Sequence, residues 1–280
     1  MEYVILDLEW NGTYSTRLKK YFNEIIEFGA VKFDNNMNII DEFSMVVRPK
    51  IGKKICSKVK DLTNITNREL NRGKRFIDAV EAFKIFLGDS VLMTWDTTDI
   101  TVLMENNLYY LGTDRMDFLT KFMDLQKYCE YRLDYNDGKQ LGLITAAEIL
   151  GINVDENDYH RALEDSRLSL ECLKRIGNLN LSEQFIQDAS CDEFYDRISF
   201  KTSYICNLNS PLIDKSDLEF QCDECSCMAN RISPWELKNK SHRARFLCPN
   251  CGNEFTARIQ FKLKYEGIII KKTCMPINKD

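Results

Sequence analysis

The sequence predicts a mixed α/β domain followed by a smaller module held by cysteines. Strand-length apolar runs come first and then alternate with stretches of helical spacing, the pattern of a layered α/β fold. Two Cys-x2-Cys pairs lie close together near the C-terminus. A chain of 280 residues also exceeds the roughly 100 to 200 residues of one ordinary domain, so a full domain plus a module is expected.

The elements follow in order. Val4-Ile5-Leu6 with Leu8 is the first strand, 25–33 the second and 39–47 the third, on apolar and β-branched enrichment. Asn35-Asn36 is a turn signal that makes the last two a hairpin. Phe76, Ile77, Val80, Phe83, Ile85, Phe86 and Leu87 carry helical spacing that Gly88 stops. A fourth strand, 91–95, leads into a helix over 99–107. Further helices fit 116–128, then 143–150 before Gly151, and 162–176 before Gly177. Asparagines and Pro211 flank a possible helix at 182–199, so 178–217 reads as a connector, partly helical. The expected organisation is a catalytic domain at 1–177, this connector, a cysteine module at 218–272 and a tail at 273–280.

Composition limits what these elements can do. With 44% hydrophobic and 29% charged residues, the chain has material for a core and charge for solubility, which excludes disordered and fibrous classes. The start, Met1 into Tyr3-Val4-Ile5-Leu6-Asp7, lacks the pattern of a signal peptide. No apolar stretch approaches the roughly 20 residues of a membrane span. Of the 11 cysteines, those up to residue 206 are scattered singly, which suits reduced thiols in a cytoplasmic protein with no membrane partner.

Net charge is −5, which by itself argues against nucleic acid. The distribution is uneven, however: residues 219–280 carry 11 Lys/Arg against 7 Asp/Glu. Basic runs also occur in the acidic part, at Lys50, Lys53, Lys54, Lys58 and Lys60 and at Arg68, Arg72, Lys74 and Arg75. They suit either a solvated surface or a rim that contacts phosphates. An acidic domain can still bind phosphates when metal ions lie between.

The candidate chemistry begins at Asp7-Leu8-Glu9 on the first strand. Alternate strand residues share a face, so the two carboxylates sit with Cα atoms about 6.6 Å apart. Hard oxygen ligands so placed can hold Mg²⁺ or Mn²⁺. Asp-x-Glu alone is common, but the apolar flanks point to a buried strand, where like charges repel unless a cation is present. Asp99 follows the fourth strand and faces either a ligand cleft or a helix-capping role, with Asp96 as its competitor. In His160-Arg161-Ala162-Leu163-Glu164-Asp165, an all-helical segment would put His160 and Asp165 about 140° apart. They share a site only if His160 lies on the loop before the helix and Asp165 on its early turns. The chain has just 2 histidines, so His160 is one of few candidates for a base near neutral pH.

In order and spacing, these motifs resemble those of the DEDDh exonucleases, a family that includes the proofreading subunit of bacterial replicases, ribonuclease T, oligoribonuclease and the Eri-type RNA exonucleases. Asp7-Leu8-Glu9 is similar to the first motif and Ile25-Ile26-Glu27-Phe28-Gly29-Ala30-Val31 to the strand after it. Asp99-Ile100-Thr101-Val102-Leu103 is similar to the second motif, His160 to Asp165 to the third, and Met123-Asp124-Leu125-Gln126-Lys127 to the segment between them. The likeness spans about residues 3–176. Asp7-Leu8-Glu9-Trp10-Asn11 and Thr94-Trp95 look nearest to the bacterial Eri/KapD-like members. The resemblance implies a ribonuclease H-like sheet flanked by helices and 3′-to-5′ removal of nucleoside 5′-monophosphates from single strands with a free 3′ end, RNA favoured and DNA possible. It implies one Mg²⁺ or Mn²⁺ on Asp7, Glu9 and Asp165, a second on Asp7 with Asp99, and His160 as general base. It also implies that Leu8 and Trp10 bind substrate, although Trp10 stands where many members have Thr.

The C-terminal module is legible independently. Cys222-x2-Cys225 and Cys248-x2-Cys251, separated by 22 residues, can close a tetrahedral Cys₄ site for one structural Zn²⁺. Pro249 and Gly252 supply the tight turn of the second pair; Cys227 and His242 fit the spacing less well. A module this small has little core, so zinc contributes much of its folding energy. Lys238, Lys240, Arg243, Arg245, Arg258, Lys262 and Lys264 interleave with Trp235, Phe246, Phe255, Phe261 and Tyr265. That pattern either tracks a nucleic-acid strand or fills a small core with aromatics and solvates it with charge. A second functional class follows: a nucleic-acid-binding or scaffolding protein that works through its ribbon, with the nuclease domain subordinate or inactive.

Overall fold

A computed structural model describes residues 1–154, 161–177 and 183–277 of the chain. It divides into two compact units, Met1–Ile198 and Ser199–Asp280. The division falls inside the stretch read as a connector.

The first unit is built on a six-stranded sheet. Strands β1 (Tyr3–Ser15), β2 (Lys20–Phe33) and β3 (Ile39–Val46) form an antiparallel meander. Strands β4 (Val91–Thr94) and β5 (Lys121–Asp124) add in parallel beside β1, and β6 (Gln187–Asp188) closes the edge antiparallel to β5. The order is β3-β2-β1-β4-β5-β6. The helices are α1 (Ser57–Thr63), α2 (Asn67–Arg72), α3 (Phe76–Leu87), α4 (Thr98–Leu111), α5 (Leu125–Arg132), α6 (Leu143–Ile149), α7 (Ala162–Ile176) and α8 (Asp192–Ser199).

The start of β1, Tyr3 to Leu6, is buried on both sides, so it reads as an unbroken apolar run. Val4, Leu6 and Leu8 join one core with Phe83 of α3, Leu103 of α4 and Phe194 of α8. Tyr3 and Ile5 join the opposite core with Tyr128 of α5, Ala146 of α6 and Leu170 of α7. Asp7 and Glu9, in step with Ile5, therefore face the α7 side of the sheet.

Helix α7 approaches the sheet at Gly29. A Cβ there would lie 2.0 Å from both the Ala162 carbonyl carbon and the Leu163 nitrogen, so only glycine lets the helix start this close. The Ser166 hydroxyl then donates to the Gly29 carbonyl at 2.9 Å.

Several expected elements differ. The predicted helix over 116–128 is instead β5 followed by α5, because Phe122-Met123 inserts beside β4 as a short buried strand. Short apolar runs fit a strand or a helix equally well by periodicity. Of the helix expected at 182–199, the described part holds β6 and then only α8. Helices α1 and α2 occupy the basic runs, where the sequence reading placed no element. Helix α2 starts with a reciprocal capping box between Thr66 and Glu69.

The second unit is built on an antiparallel sheet. It contains β7 (Ser203–Tyr204), β8 (Asn230–Arg231), β9 (Glu236–Lys238), β10 (Ser241–Leu247), β11 (Glu254–Lys264) and β12 (Gly267–Pro276). The path runs β12-β11-β10-β8, with β7 on β11 and β9 on β10. Phe246, Phe255 and Phe261 are buried with Phe220, Cys222 and Cys248, and Trp235 packs against them. Four of the five interleaved aromatics therefore build the core; Tyr265, at 36% exposure, lies at the surface.

Candidate active site and zinc centre

Asp7 and Glu9 project from β1 just before a bulge between Glu9 and Trp10. Asp165 reaches them from the first turn of α7. One carboxylate oxygen from each of the three lies within 4.8 Å of the others. The Asp165 amide donates to the Arg161 carbonyl at 3.0 Å, so the helix is already formed where this side chain leaves it.

Asp99 completes the acidic group from the other side. Its capping alternative does not apply: Thr97 is the N-cap and makes no side-chain cap bond, while Asp96 accepts from the Thr98 amide at 2.6 Å. Asp99 is 6% exposed, and its Oδ1 accepts from the Leu8 amide at 3.0 Å. Pairing between β1 and β4 ends at Ile5, so this bond ties α4 to β1 beyond the ladder. Asp7, Asp99 and Asp165 line a cleft of about 400 Å³, together with Trp10, Trp95 and Thr145.

The third acidic contribution is held by an ion pair that the sequence reading did not single out. Glu27 lies directly opposite Glu9 across β1 and β2 and is only 1% exposed. Arg161 bonds it with both Nε and Nη2, at 3.0 and 2.5 Å, and the Ala162 amide donates to it at 3.3 Å. Arg161 also lies 3.7 Å from Glu69 of α2. One guanidinium thus joins β2, α2 and the start of α7, which sets where Asp165 stands. The signal in the sequence was a lone acid in an apolar strand, Ile26-Glu27-Phe28.

Crowding shifts these acids strongly. Asp7 and Glu9 keep some surface open to the cleft, yet lie deep enough that desolvation is the main cause. Burial, then the charges of Asp99 and Asp165, push Asp7 well above the carboxylate range. Burial, then Asp165, raises Glu9 to about 8, with Arg161 opposing the rise. Burial, then Asp96, raises Asp99 to about 8, against the bond from Leu8. A set of hard oxygen donors held together against its own repulsion fits a divalent cation, whose charge offsets that repulsion and favours the ionised carboxylates.

Other expected residues are placed as follows. Trp10 lines the cleft, whereas the Leu8 side chain is buried in the core on the opposite face of β1. Only its backbone meets the acidic group. His160 lies outside the described residues.

In the second unit, Cys222, Cys225, Cys248 and Cys251 converge with sulfurs within 4.8 Å of one another. The Sγ separations of 3.4 Å for Cys225–Cys248 and 3.6 Å for Cys222–Cys251 exclude disulfide bonds. The Ser226 amide donates to the Cys222 carbonyl at 2.8 Å and the Gly252 amide to the Cys248 carbonyl at 3.0 Å. Ser226 and Gly252 take positive φ, at 59° and 71°, to close these two turns. The Cys227 amide and Asn250 lower the Cys225 thiol to about 6, which favours the thiolate a metal needs. Neither Cys227 nor His242 belongs to the four-sulfur group. Four convergent sulfurs on two turns fit a zinc ribbon.

Comparison with known proteins agrees with this geometry. The sequence model of the RNase_T family, described as exonuclease, matches residues 4–173. The probable 3′-5′ exonuclease KapD of Bacillus subtilis is 29% identical over 178 residues, covering 62% of this chain and 83% of that protein. A PolC-type DNA polymerase III of Clostridium perfringens is 31% identical over 173 residues, covering 62% of this chain but only 11% of the polymerase. Among solved structures, the nuclease domain of 3′hExo, described as a DEDDh family member bound to rAMP, superposes with a TM-score of 0.52 at 20% identity, covering 61% of this chain and 88% of that one. A 3′-exonuclease described in 3′-end-specific recognition of a histone mRNA stem-loop gives 0.52 at 21% identity, covering 61% and 79%. These likenesses show a ribonuclease H-like exonuclease fold. Among the described residues, no helix is long and apolar enough to cross a membrane.

Proposed function

Because this chain belongs to the RNase_T exonuclease family, we propose that it is a metal-dependent 3′-to-5′ exonuclease that degrades single-stranded nucleic acid, RNA in preference to DNA, to nucleoside 5′-monophosphates. The observation that carries the reading is the convergence of Asp7, Glu9 and Asp165 within 4.8 Å in a cleft that Asp99 also lines. Two divalent ions, Mg²⁺ or Mn²⁺, held by Asp7, Glu9 and Asp165 and by Asp7 with Asp99, would supply Lewis acidity at the scissile phosphate and a water more easily deprotonated.

The chain's own groups do the rest. Asp7 and Glu9 fix the ligand oxygens on a rigid strand, and the Glu27–Arg161 pair holds the start of α7 so that Asp165 meets them. Trp10 and Trp95 wall the cleft and offer apolar faces to a terminal base. His160, two positions before the start of α7 in the sequence, takes the proton of the attacking water. The preference for RNA follows the neighbours described with rAMP and with an mRNA stem-loop. The four cysteines hold one structural Zn²⁺ without an open position, which suits the reducing cytoplasm.

The test uses 5′-labelled single-stranded RNA and DNA with and without Mg²⁺ or Mn²⁺. The reading expects a ladder that shortens from the 3′ end only when an ion is present, slowed by a 3′-phosphate. Cleavage of a circular single strand contradicts it.

A further inference from the structure

The second unit presents a face that neither its core nor its metal explains. On β11, Phe255, Ala257, Ile259 and Phe261 turn inward, so Arg258, Gln260 and Lys262 turn outward. The register carries this face across the sheet: Arg243 of β10 stands directly opposite Arg258, Lys271 of β12 opposite Gln260, and Tyr204 of β7 opposite Lys262. Like charges directly opposite across an antiparallel pair are destabilising. A sheet that only needed solubility would alternate or pair them.

In the first unit, Arg75, Arg161 and Arg167 each meet a carboxylate at 2.5 to 2.6 Å. On the outer face of the second unit, Arg245 meets Glu254 at 3.3 Å. Among the described residues, Arg243, Arg258, Lys262 and Lys271 make no such ion pair, although Glu236 is the register partner of Arg243.

Two further details point to a ligand. The Arg243 Nε is shielded from solvent and has no hydrogen-bond partner, an orphan donor on a cationic group. Beside it, Arg258 is oriented: its Nε donates to the buried Ser241 hydroxyl at 3.2 Å, and the Gln260 amide donates to the same oxygen at 3.2 Å. Two guanidinium groups opposite one another in register, one of them positioned by Ser241, make a fork for phosphate oxygens. At the edge, the Lys240 ammonium lies 4.9 Å from the centre of the Tyr204 ring, which leaves cation and aromatic together.

We infer that this outer face is a second nucleic-acid contact, on which Arg243 and Arg258 grip the phosphate backbone of a single strand while Lys262 and Lys271 extend the track. Sequence-independent phosphate contacts suit a partner that must be held while its length changes. The choice of a single strand rests on the exonuclease reading above. Four of the five aromatics that would have made the module a base-stacking groove are taken up by its core, so the face binds through charge, with Tyr204 as an aromatic contact at its edge.

The experiment measures fluorescence anisotropy of a 5′-labelled single-stranded RNA of about 20 nucleotides with the full zinc-loaded chain, without added Mg²⁺ or Mn²⁺. Arg243→Gln/Arg258→Gln should raise Kd about tenfold and flatten the slope of log K against log salt by about 1.4, two contacts at about 0.7 each. Lys262→Gln/Lys271→Gln should flatten it similarly. Zinc content of one ion per chain in each variant excludes unfolding of the ribbon as the cause. Unchanged Kd and slope in both variants overturn the inference, as does tight binding to anionic lipid vesicles with none to the strand. Adding Mg²⁺ to the wild type separates the two claims: a chain that binds through this face but does not shorten the strand sinks the exonuclease reading alone. One that shortens it while binding ignores both variants sinks this inference alone.

Discussion

At the level of single residues, the acidic group is defined by what each carboxylate is attached to. Asp99 was ambiguous in sequence, because an acid at the start of a helix has its own reason to be there. Its bond to the Leu8 amide removes that ambiguity, since the side chain points back to β1 and Asp96 serves the helix start. Glu27 was visible as a misfit in an apolar strand, but nothing in sequence linked it to Arg161, 134 positions away. Asp165→Asn should lower hydrolysis by at least about 10²-fold, since loss of even an outer partner of a metal ligand costs 10- to 100-fold. Single-turnover rates on labelled strands check this, and an unaltered rate removes Asp165 from the site. His160→Ala should reduce turnover by about 10² to 10⁴-fold with little change in strand affinity, because the lost group acts on a proton in the transition state. A rise in Kd that accounts for the whole loss would contradict the assignment of the base.

At the level of elements, two junctions carry the architecture. Gly29 admits α7 to the sheet, and a Cβ 2.0 Å from backbone atoms has no flexible neighbour to displace. Gly29→Ala should therefore destabilise the first unit by about 1–3 kcal/mol or more and lower activity together, by moving Asp165 from Asp7 and Glu9. Thermal melts paired with rate measurements test it; a variant that melts and cuts as the wild type does would mean that the helix start tolerates a shift. In the second unit, Cys248→Ser removes one of four convergent sulfurs. Bound zinc should fall from about one ion per chain and the unit should lose its protection from proteolysis. Unchanged zinc content would exclude the ribbon. The spacing of the cysteines and of α3 and α7 was legible because each repeats a strong local rule. β5 was not, because a four-residue buried strand followed at once by a helix carries no period of its own. The basic and aromatic stripe of β10 and β11 was readable as two alternatives. Strand alternation separated them, sending the aromatics inward and the cations outward.

At the level of the whole molecule, the clustered acids couple stability to pH and to metal. Asp7, Glu9 and Asp99 are all raised in the folded state, so each contributes fully below its unfolded value and loses that contribution as pH rises through the folded one. The metal-free first unit should thus weaken between about pH 4 and about pH 8. A divalent cation competes with those protons and offsets the repulsion. The rise in Tm on adding Mg²⁺ should accordingly be larger near about pH 8 than near about pH 5, toward the two ends of that window. A rise of the same size at both values would mean that these acids are not the ligands.

The most direct test follows occupancy and chemistry in one sample. Mn²⁺ is titrated into the zinc-loaded chain, free ion is read by electron paramagnetic resonance, and 3′-end shortening of a labelled strand is timed at each step. The account predicts that rate and occupancy rise together, to about two ions per chain. It also predicts that Asp7→Asn loses both, yet melts no lower than the wild type without metal, because asparagine carries no ionisable group to be buried beside acidic neighbours. Wild-type Mn²⁺ affinity or wild-type shortening in Asp7→Asn would contradict the claim that this acidic cluster is the catalytic metal site.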